Sequence, residues 1–225
     1  MLVDRNGIKC AVWDSFPDAP EELLGAQADF VQCWLEPWQA EAKEWLEGRG
    51  FYFSDRFLDC RILLRNLPEK PARARFLICE GDSPMEELQK IYHAVFTRDR
   101  RMHLGRGYEQ ELADTVIDSY IHEAMTGQMK LLRCCYKEKL VGCAFLQETD
   151  GTMEIYLAGV LPEYQKTGAA VELYRACADF AAAASKRLLT GRISAGNTDV
   201  MNLYASLGAN FYHPRDCYVR DQRGG

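Results

Sequence analysis

Apolar and polar positions alternate with a period of two over residues 29–35, 60–64, 75–80, 129–136, 140–148, 152–160, 187–194 and 212–219. Side chains two apart share one face of a strand, so these stretches, bounded by turn residues, predict β-strands. Apolar positions at three- and four-residue spacing predict amphipathic helices over 36–47, 85–96, 108–125, 169–184 and 198–206. Interleaved in this order, the elements predict an α/β or α+β chain built on a mixed sheet.

The polar run Asn66-Leu67-Pro68-Glu69-Lys70-Pro71, with two prolines, predicts a linker, and divides the chain into a block 1–70 and a block 71–225. The two blocks share a pattern. The stretches DFVQCWLEPWQAEAKEWLEGRGFYFSDRFLDCRILL and RLLTGRISAGNTDVMNLYASLGANFYHPRDCYV both run strand, helix, Gly, strand, as a degenerate half-repeat would. Only the second copy follows a strand–Gln-x-x-Gly-x-Ala–helix unit, so the first is expected to lack a cofactor site.

With 225 residues, 48% of them hydrophobic, the chain is long enough for one large core or two small ones. No apolar run approaches the roughly 20 residues of a membrane helix, and the N-terminal MLVDRNGIKC lacks the basic-then-apolar order of a signal peptide. A cytoplasmic location and no membrane partner are expected. A net charge of −6 argues against nucleic acid as the main partner while allowing a locally basic site for an anion. Nine scattered cysteines, with no Cys-x-x-Cys pair and no Cys/His cluster at zinc spacing, predict reduced thiols and no metal. Cys134 and Cys135 are strand neighbours, so one is expected in the core and the other outside.

The most informative stretch is LAGVLPEYQKTGAAVELY, residues 157–174. It predicts a strand, a proline turn and a helix beginning at Gly168-Ala169-Ala170. A helix start exposes unpaired N–H groups and the positive end of the helix dipole. Small side chains there leave room for a pyrophosphate, with Lys166 as a nearby point charge; a tight strand-to-helix turn explains the same residues without a ligand. Neither GxxxxGK[ST] nor GxGxxG occurs. Further on, in GNTDVMNLYASLG, Val200, Leu203, Tyr204 and Leu207 share a helix face, which turns Tyr204 inward. Asn197 lies about two helical turns before it, on the same side.

These two motifs, in this order, resemble the acetyl-CoA-binding core of the GNAT acetyltransferase superfamily. The match rests on Val160, Pro162, Tyr164, Gln165, Gly168, Ala170, Asn197, Leu203, Tyr204 and Gly208, and covers roughly residues 73–220. Ala209 stands where the family usually has an aromatic residue, a packing position. The layout upstream, AVFTRDRRMHLGRGYEQELADTVIDSYIHEAMTG after a strand–helix–strand block, is similar to nucleotide-sugar amine N-acetyltransferases of the dTDP-fucosamine acetyltransferase type, which place an extra N-terminal half-domain before the GNAT core.

The resemblance implies direct attack of an amine on the acetyl-CoA thioester, which requires a deprotonated amine, support for the oxyanion and a proton for the leaving thiolate. It places the oxyanion contact at the Ala158 backbone N–H and the general acid at Tyr204. Cofactor contacts fall on Val160, Gln165, Lys166, Thr167, Gly168, Ala169, Ala170 and Asn197, the last either binding pantetheine or capping its helix. Gly159 lets the strand splay or allows close packing. Glu154, expected by strand alternation to share a face with Tyr156 and Ala158, is the candidate base, with a water chain as the alternative. The basic run Arg98, Arg100, Arg101, His103, Arg106 is either a solvated loop or a diphosphate-binding one, with Arg98 and Arg101 as the substrate contacts. The expected acceptor is a small-molecule amine, foremost a nucleotide-linked amino sugar, otherwise a peptide, polyamine or antibiotic amine. A non-catalytic acyl-CoA sensor is the alternative from another class, and a homodimer is compatible with all of these.

Overall fold

The computed structural model describes residues 1–67, 74–97 and 99–223. In chain order the elements are β1 (Leu2–Arg5), β2 (Ile8–Trp13), α1 (Glu21–Leu24), β3 (Phe30–Leu35), α2 (Ala40–Glu47), β4 (Tyr52–Leu63), β5 (Leu77–Glu80), α3 (Met85–Val95), α4 (Gln110–Thr126), β6 (Lys130–Tyr136), β7 (Lys139–Thr149), β8 (Thr152–Val160), α5 (Ala169–Ala183), β9 (Leu188–Ser194), α6 (Thr198–Ser206) and β10 (Asn210–Asp221). Short 3₁₀ turns occupy Leu64–Asn66 and Pro162–Thr167.

The strands form one ten-stranded mixed sheet in the order β1-β2-β3-β10-β4-β9-β8-β7-β6-β5. Its pairing repeats about the central β10–β4 pair. On one side β1–β2 is antiparallel, β2–β3 parallel and β3–β10 antiparallel. On the other, β7–β8 is antiparallel, β8–β9 parallel and β9–β4 antiparallel. The order strand–helix–strand thus occurs twice, as β3–α2–β4 and β9–α6–β10. The blocks are interleaved, because β4 of the first lies between β9 and β10 of the second. The linker expected at 66–71 falls largely on residues 68–73, which lie outside the described residues.

Helices cover both faces. On one, α3 and α4 bury Leu88, Ile91, Tyr92, Val116, Ile117 and Ile121 against Phe57, Phe145, Leu157 and Val219. On the other, α5 and α6 pack Leu173, Cys177, Ala181 and Tyr204 over Ile62, Met153, Leu189 and Ile193, while α1 and α2 set Leu23 and Leu46 over Val31, Cys33 and Leu35. Cys134 is fully buried and Cys135 is 8% exposed, so both thiols are buried where one outer thiol was expected. All nine cysteines are unpaired in disulfides, and Cys79 alone among them is exposed.

The five predicted helices and most strands lie where periodicity puts them, within a few residues, while the four-residue α1 was not expected. Four strands differ. β1 and β2 form an unexpected hairpin closed by Asn6 and Gly7, whose φ values of 54° and 89° are those of the two-residue turn that matches strand twist. β4 begins at Tyr52 instead of residue 60, because Ser54, Asp55, Arg56 and Asp59 disguise a central strand as a loop. β10 runs through Pro214, which sits at a register shift between Tyr212 and Arg215, where the missing N–H interrupts no regular ladder. α2 starts at Ala40 instead of 36, the preceding turn being held by the Glu36 N–H donating to Gln39 Oε1 at 2.8 Å.

Asp216 of β10 ties three elements together. It is 1% exposed and accepts from Lys43 Nζ of α2 at 2.6 Å and from Arg56 Nε and Nη2 of β4 at 2.6 and 3.0 Å. Burial alone would raise its carboxyl pKa; the hydrogen bonds from Arg56 and Lys43 outweigh that and hold it below the usual aspartate value. Removing one partner of such a buried pair costs on the order of 3 kcal/mol. Asp216→Asn is expected to lower the melting temperature at neutral pH. Since the folded pKa is depressed, the stabilisation is complete above the ordinary value near 3.9 and is lost as pH falls below it. The gap between wild type and Asp216→Asn in thermal melts should therefore close on acidification through that range; a gap independent of pH would refute the charge-based account.

Candidate functional site

β8 and β9 pair over only three positions, Thr152 with Leu188, Met153 with Leu189 and Glu154 with Thr190. Beyond them β8 stays with β7 and β9 with β4, and the two strands part. A bulge begins the divergence: Ile155 opposes Leu146 while Leu157 opposes Phe145, leaving Tyr156 as the extra residue. Bulges bend a strand and increase its twist. Gly159, a candidate for this splaying role, is regularly paired with Cys143. A Cβ there would stand 3.3 Å from Val95 Cγ2 and 3.4 Å from Tyr92 Cδ1, so this glycine admits α3 close to the strand.

The wedge opens into a cavity of about 830 Å³ lined by β8 from Ile155 to Ala158, by β9 and the start of α6 from Arg192 to Val200, and by Tyr174 and Tyr204. Its far wall comes from the α3–α4 connection and from Ser54 and Asp55 of β4. The bulge also changes which side chains share a face. Tyr156 packs on the α3/α4 side, near Tyr120 at 5.9 Å, whereas Ala158 packs on the α5/α6 side. The expected common face of Glu154 and Ala158 is therefore broken by one inserted residue. Glu154 lies beside Arg192 and Asp59; burial pushes its carboxyl pKa up, Arg192 opposes the rise and Asp59 adds to it. It is not among the residues that line the cavity.

Tyr204 forms part of the lining and is 2% exposed. Its ring meets Tyr174 edge-on at 5.2 Å, and its hydroxyl is hydrogen-bonded to the Cys60 thiol of β4, whose Sγ donates to the Gly191 carbonyl at 3.3 Å. A Cβ at 191 would lie 2.6 Å from the Tyr204 hydroxyl. Gly191 is thus required for this arrangement, and the sequence signal for it was an isolated glycine inside a strand. Burial, reinforced by Tyr174 and Cys60, pushes the Tyr204 phenol well above its ordinary value, so the hydroxyl keeps its proton at neutral pH.

Past the end of β8, α5 begins after Gly168, whose φ of 95° is left-handed and whose missing Cβ faces open space. Ala169, the first residue of α5, is fully buried, so its small size serves packing; Ala170 is partly buried beside it. Their N–H groups, with that of Val171, belong to the first turn, where no carbonyl four residues earlier in the helix is available. Lys166 is exposed nearby. The Gln165 side chain donates to the Val160 carbonyl at 3.1 Å and the Thr167 hydroxyl to the Tyr164 carbonyl at 2.6 Å, which fixes the turn; the Val160 side chain is in the core. Asn197 caps α6, accepting from the Val200 N–H at 3.2 Å, and also lines the cavity.

The basic run between α3 and α4 is not a solvated loop. Met102 and His103 are fully buried and Leu104 is 2% exposed. Tyr52 of β4 donates its hydroxyl to the Leu104 carbonyl, anchoring the connection. Arg101, a candidate substrate contact, lines the cavity but forms a two-pronged ion pair with Asp99, Nε to Oδ1 at 3.0 Å and Nη2 to Oδ2 at 2.7 Å. Burial would raise the Asp99 carboxyl pKa, yet Arg101 holds it below the usual range. Arg98, the other candidate, lies outside the described residues. Arg100 donates to the Gly105 carbonyl at 2.9 Å, Arg106 lies over the Tyr52 ring at 5.2 Å, and neither has a carboxylate partner among the described residues. Asp55 and Arg192 complete the wall; neither was singled out in the sequence, where they read as ordinary charges.

No helix among the described residues is long and apolar enough to cross a membrane, and no cluster of metal-ligating side chains occurs among them. A conserved protein of unknown function from Staphylococcus epidermidis ATCC 12228 superposes with a TM-score of 0.68 at 16% identity, over 93% of this chain and 83% of that one. A GCN5-related N-acetyltransferase from Sphaerobacter thermophilus gives 0.62 at 18% identity, over 87% of this chain and 61% of that one. A tandem GNAT protein from the clavulanic acid biosynthesis pathway gives 0.53 at 12%, over 85% and 64%. At these identities the likeness is one of fold. No curated protein sequence matches the chain significantly. The profile of the Acetyltransferase (GNAT) family matches residues 85–209, from the first turn of α3 to the residue before β10, and so spans the parted strands, the α5 turn and Tyr204: the chain belongs to the GNAT acetyltransferase family.

Proposed function

We propose that the protein is an acetyl-CoA-dependent N-acetyltransferase whose acceptor is a primary amine that also carries an anionic group, a nucleotide-linked amino sugar being the best fit. The observation that carries this reading is the wedge between β8 and β9, with a helix start at one end and a protonated, buried Tyr204 at the other. Acetyl-CoA suits that shape. The open side of Gly168, the first N–H groups of α5 and Lys166 would hold its phosphates, and the unpaired inner edge of β8 near Ala158 would meet its extended arm. Bound there, it supplies an activated acetyl group.

Within the wedge, the Tyr204 hydroxyl is the proton source for the departing sulfur. Gly191 leaves it the room, and Cys60 and Tyr174 hold it in place. On the acceptor side, Arg100 and Arg106 have no carboxylate partner among the described residues and favour an anionic group such as a diphosphate. A polyamine would leave both guanidinium groups facing a cation. Arg101, tied to Asp99, shapes the wall instead.

Release of CoA thiol from acetyl-CoA, followed across a dTDP-4-amino-4,6-dideoxyhexose, spermidine, an aminoglycoside and a peptide, is expected with the sugar nucleotide. Turnover with spermidine alone would overturn the anionic-acceptor part of the proposal. Tyr204→Phe should lower kcat about 10²-fold or more while the calorimetric Kd for acetyl-CoA stays unchanged; an unaltered kcat removes Tyr204 from proton transfer. Gly191→Ala should cost about 1–3 kcal/mol of stability, because its Cβ would collide with the Tyr204 hydroxyl 2.6 Å away. In the Tyr204→Phe background that penalty should shrink, a non-additivity readable from denaturant midpoints.

A further inference from the structure

The cavity-lining carboxylates differ in what they already hold. Asp99 is taken on both oxygens by Arg101, and Asp199 is exposed at the start of α6. Asp55 is half-buried, projects from β4 on the α3/α4 side of the sheet opposite Cys217 of β10, and forms no ion pair with any described residue. Its Oδ1 accepts from the Arg56 backbone N–H at 2.7 Å, and its carboxylate also takes a hydrogen bond from Ser194 of β9. Two neutral donors thus orient the group without neutralising it. A lone carboxylate in a cavity wall is costly unless a cation completes it. Ser194 lies on β9 just past the divergence, so Asp55 stands beside the part of the wedge between the two strands.

We infer that Asp55, supplied by the N-terminal block, is the residue that binds the acceptor's ammonium group and accepts its proton. This rests on the N-acetyltransfer reading. The transfer is balanced: the ammonium N–H bond breaks, its proton bonds to a carboxylate oxygen of Asp55, and the nitrogen keeps the electron pair for a new bond to carbon; as the carbon–sulfur bond breaks, the sulfur takes the Tyr204 proton, and the second proton lost by the acylated nitrogen restores the Tyr204 hydroxyl. The protonated Asp55 returns the proton to solvent when product leaves.

The surroundings suit a proton acceptor. Burial raises the Asp55 carboxyl pKa above the ordinary value; Ser194 and the Arg56 N–H oppose the rise, Asp99 adds to it and Arg100 opposes it. Those groups come from β9, β4 and the α3–α4 connection, and the neutral thiol of Cys217 faces it from β10. The acid limb of the rate profile should accordingly lie above the ordinary aspartate value, with activity lost as pH falls and Asp55 becomes protonated.

The test uses wild type, Asp55→Asn and Asp55→Glu, each checked by thermal melting. One readout is calorimetric binding, with CoA present, of the dTDP-4-amino-4,6-dideoxyhexose and of its 4-hydroxy counterpart. Wild type should favour the amine by about tenfold or more, the scale of a hydrogen bond to a charged group. Asp55→Asn should lose that preference, Asp55→Glu should restore part of it, and acetyl-CoA affinity should be the same in all three. The other readout is kcat/KM against pH, in which Asp55→Asn should lack the acid limb. Retention of both the amine preference and the limb in Asp55→Asn overturns the inference. Asp55-dependent amine binding without thiol release would sink the transfer reading and leave the inference standing; Asp55-independent acetylation would do the reverse. Where the sugar is neither bound nor acetylated, the same comparison is made with spermidine, the aminoglycoside and the peptide, and failure to bind any of them overturns the inference.

Discussion

Two parallel strands lose contact after three residue pairs, and the site exists because they do. Parting is affordable here only because each strand keeps a second partner: β8 remains bonded to β7 and β9 to β4, so neither loses its place in the sheet. The facing inner edges are left with backbone N–H and C=O groups that need partners. Such an edge favours an extended polar ligand lying along it, while the bulge at Tyr156 and the glycine at 191 settle how far the strands diverge and what reaches the gap. The corresponding parallel pair on the other side of the sheet, β2 with β3, stays joined to the last residue of β2, and is followed by a helix of only four residues. Near-symmetric topology therefore produces one wedge.

The first block does more than extend the sheet. Its longest strand, β4, runs between β9 and β10 and carries charges that a central strand normally avoids. Each has a destination: Arg56 bonds Asp216, Asp59 pairs with Arg192 of β9 at 2.9 Å, Arg61 lies over the Tyr212 ring at 5.1 Å, and Asp55 faces the cavity. Cys60 on the same strand holds Tyr204, and Tyr52 anchors the α3–α4 connection. The part of the fold matched by the family profile is thus braced, residue by residue, from the N-terminal side.

These facts mark what the sequence could disclose. Periodicity located α3, α5, α6, β8 and β9 closely, because each buries one regular face against the sheet and nothing local competes. The QKTGAA turn and the Tyr204 helix were legible for the same reason: their spacing is set within one element. What escaped was decided between elements. Alternation placed Glu154 and Ala158 on one face, and a single bulged residue, invisible without the partner strand, separated them. The charges of β4 read as a loop until Asp216, Arg192 and the cavity appeared beside them. Arg101 read as an available cation because its partner, Asp99, is distinguished from other acidic residues only by geometry.

The interleaving of β4 has a consequence for how the molecule is made. β4 is bordered on both sides by strands from the end of the chain, β9 and β10, and β3 is likewise completed by β10. While the chain is still being synthesised, β4 has neither neighbour and β3 lacks one, although both have long since emerged. The first block must wait with open strand edges and unpaired charges until residues 188–221 arrive. Long-range pairing of this kind makes for slow folding and a period of exposure to wrong partners. The bracing that gives the finished cavity its rigidity is, during birth, the part of the protein most in need of protection.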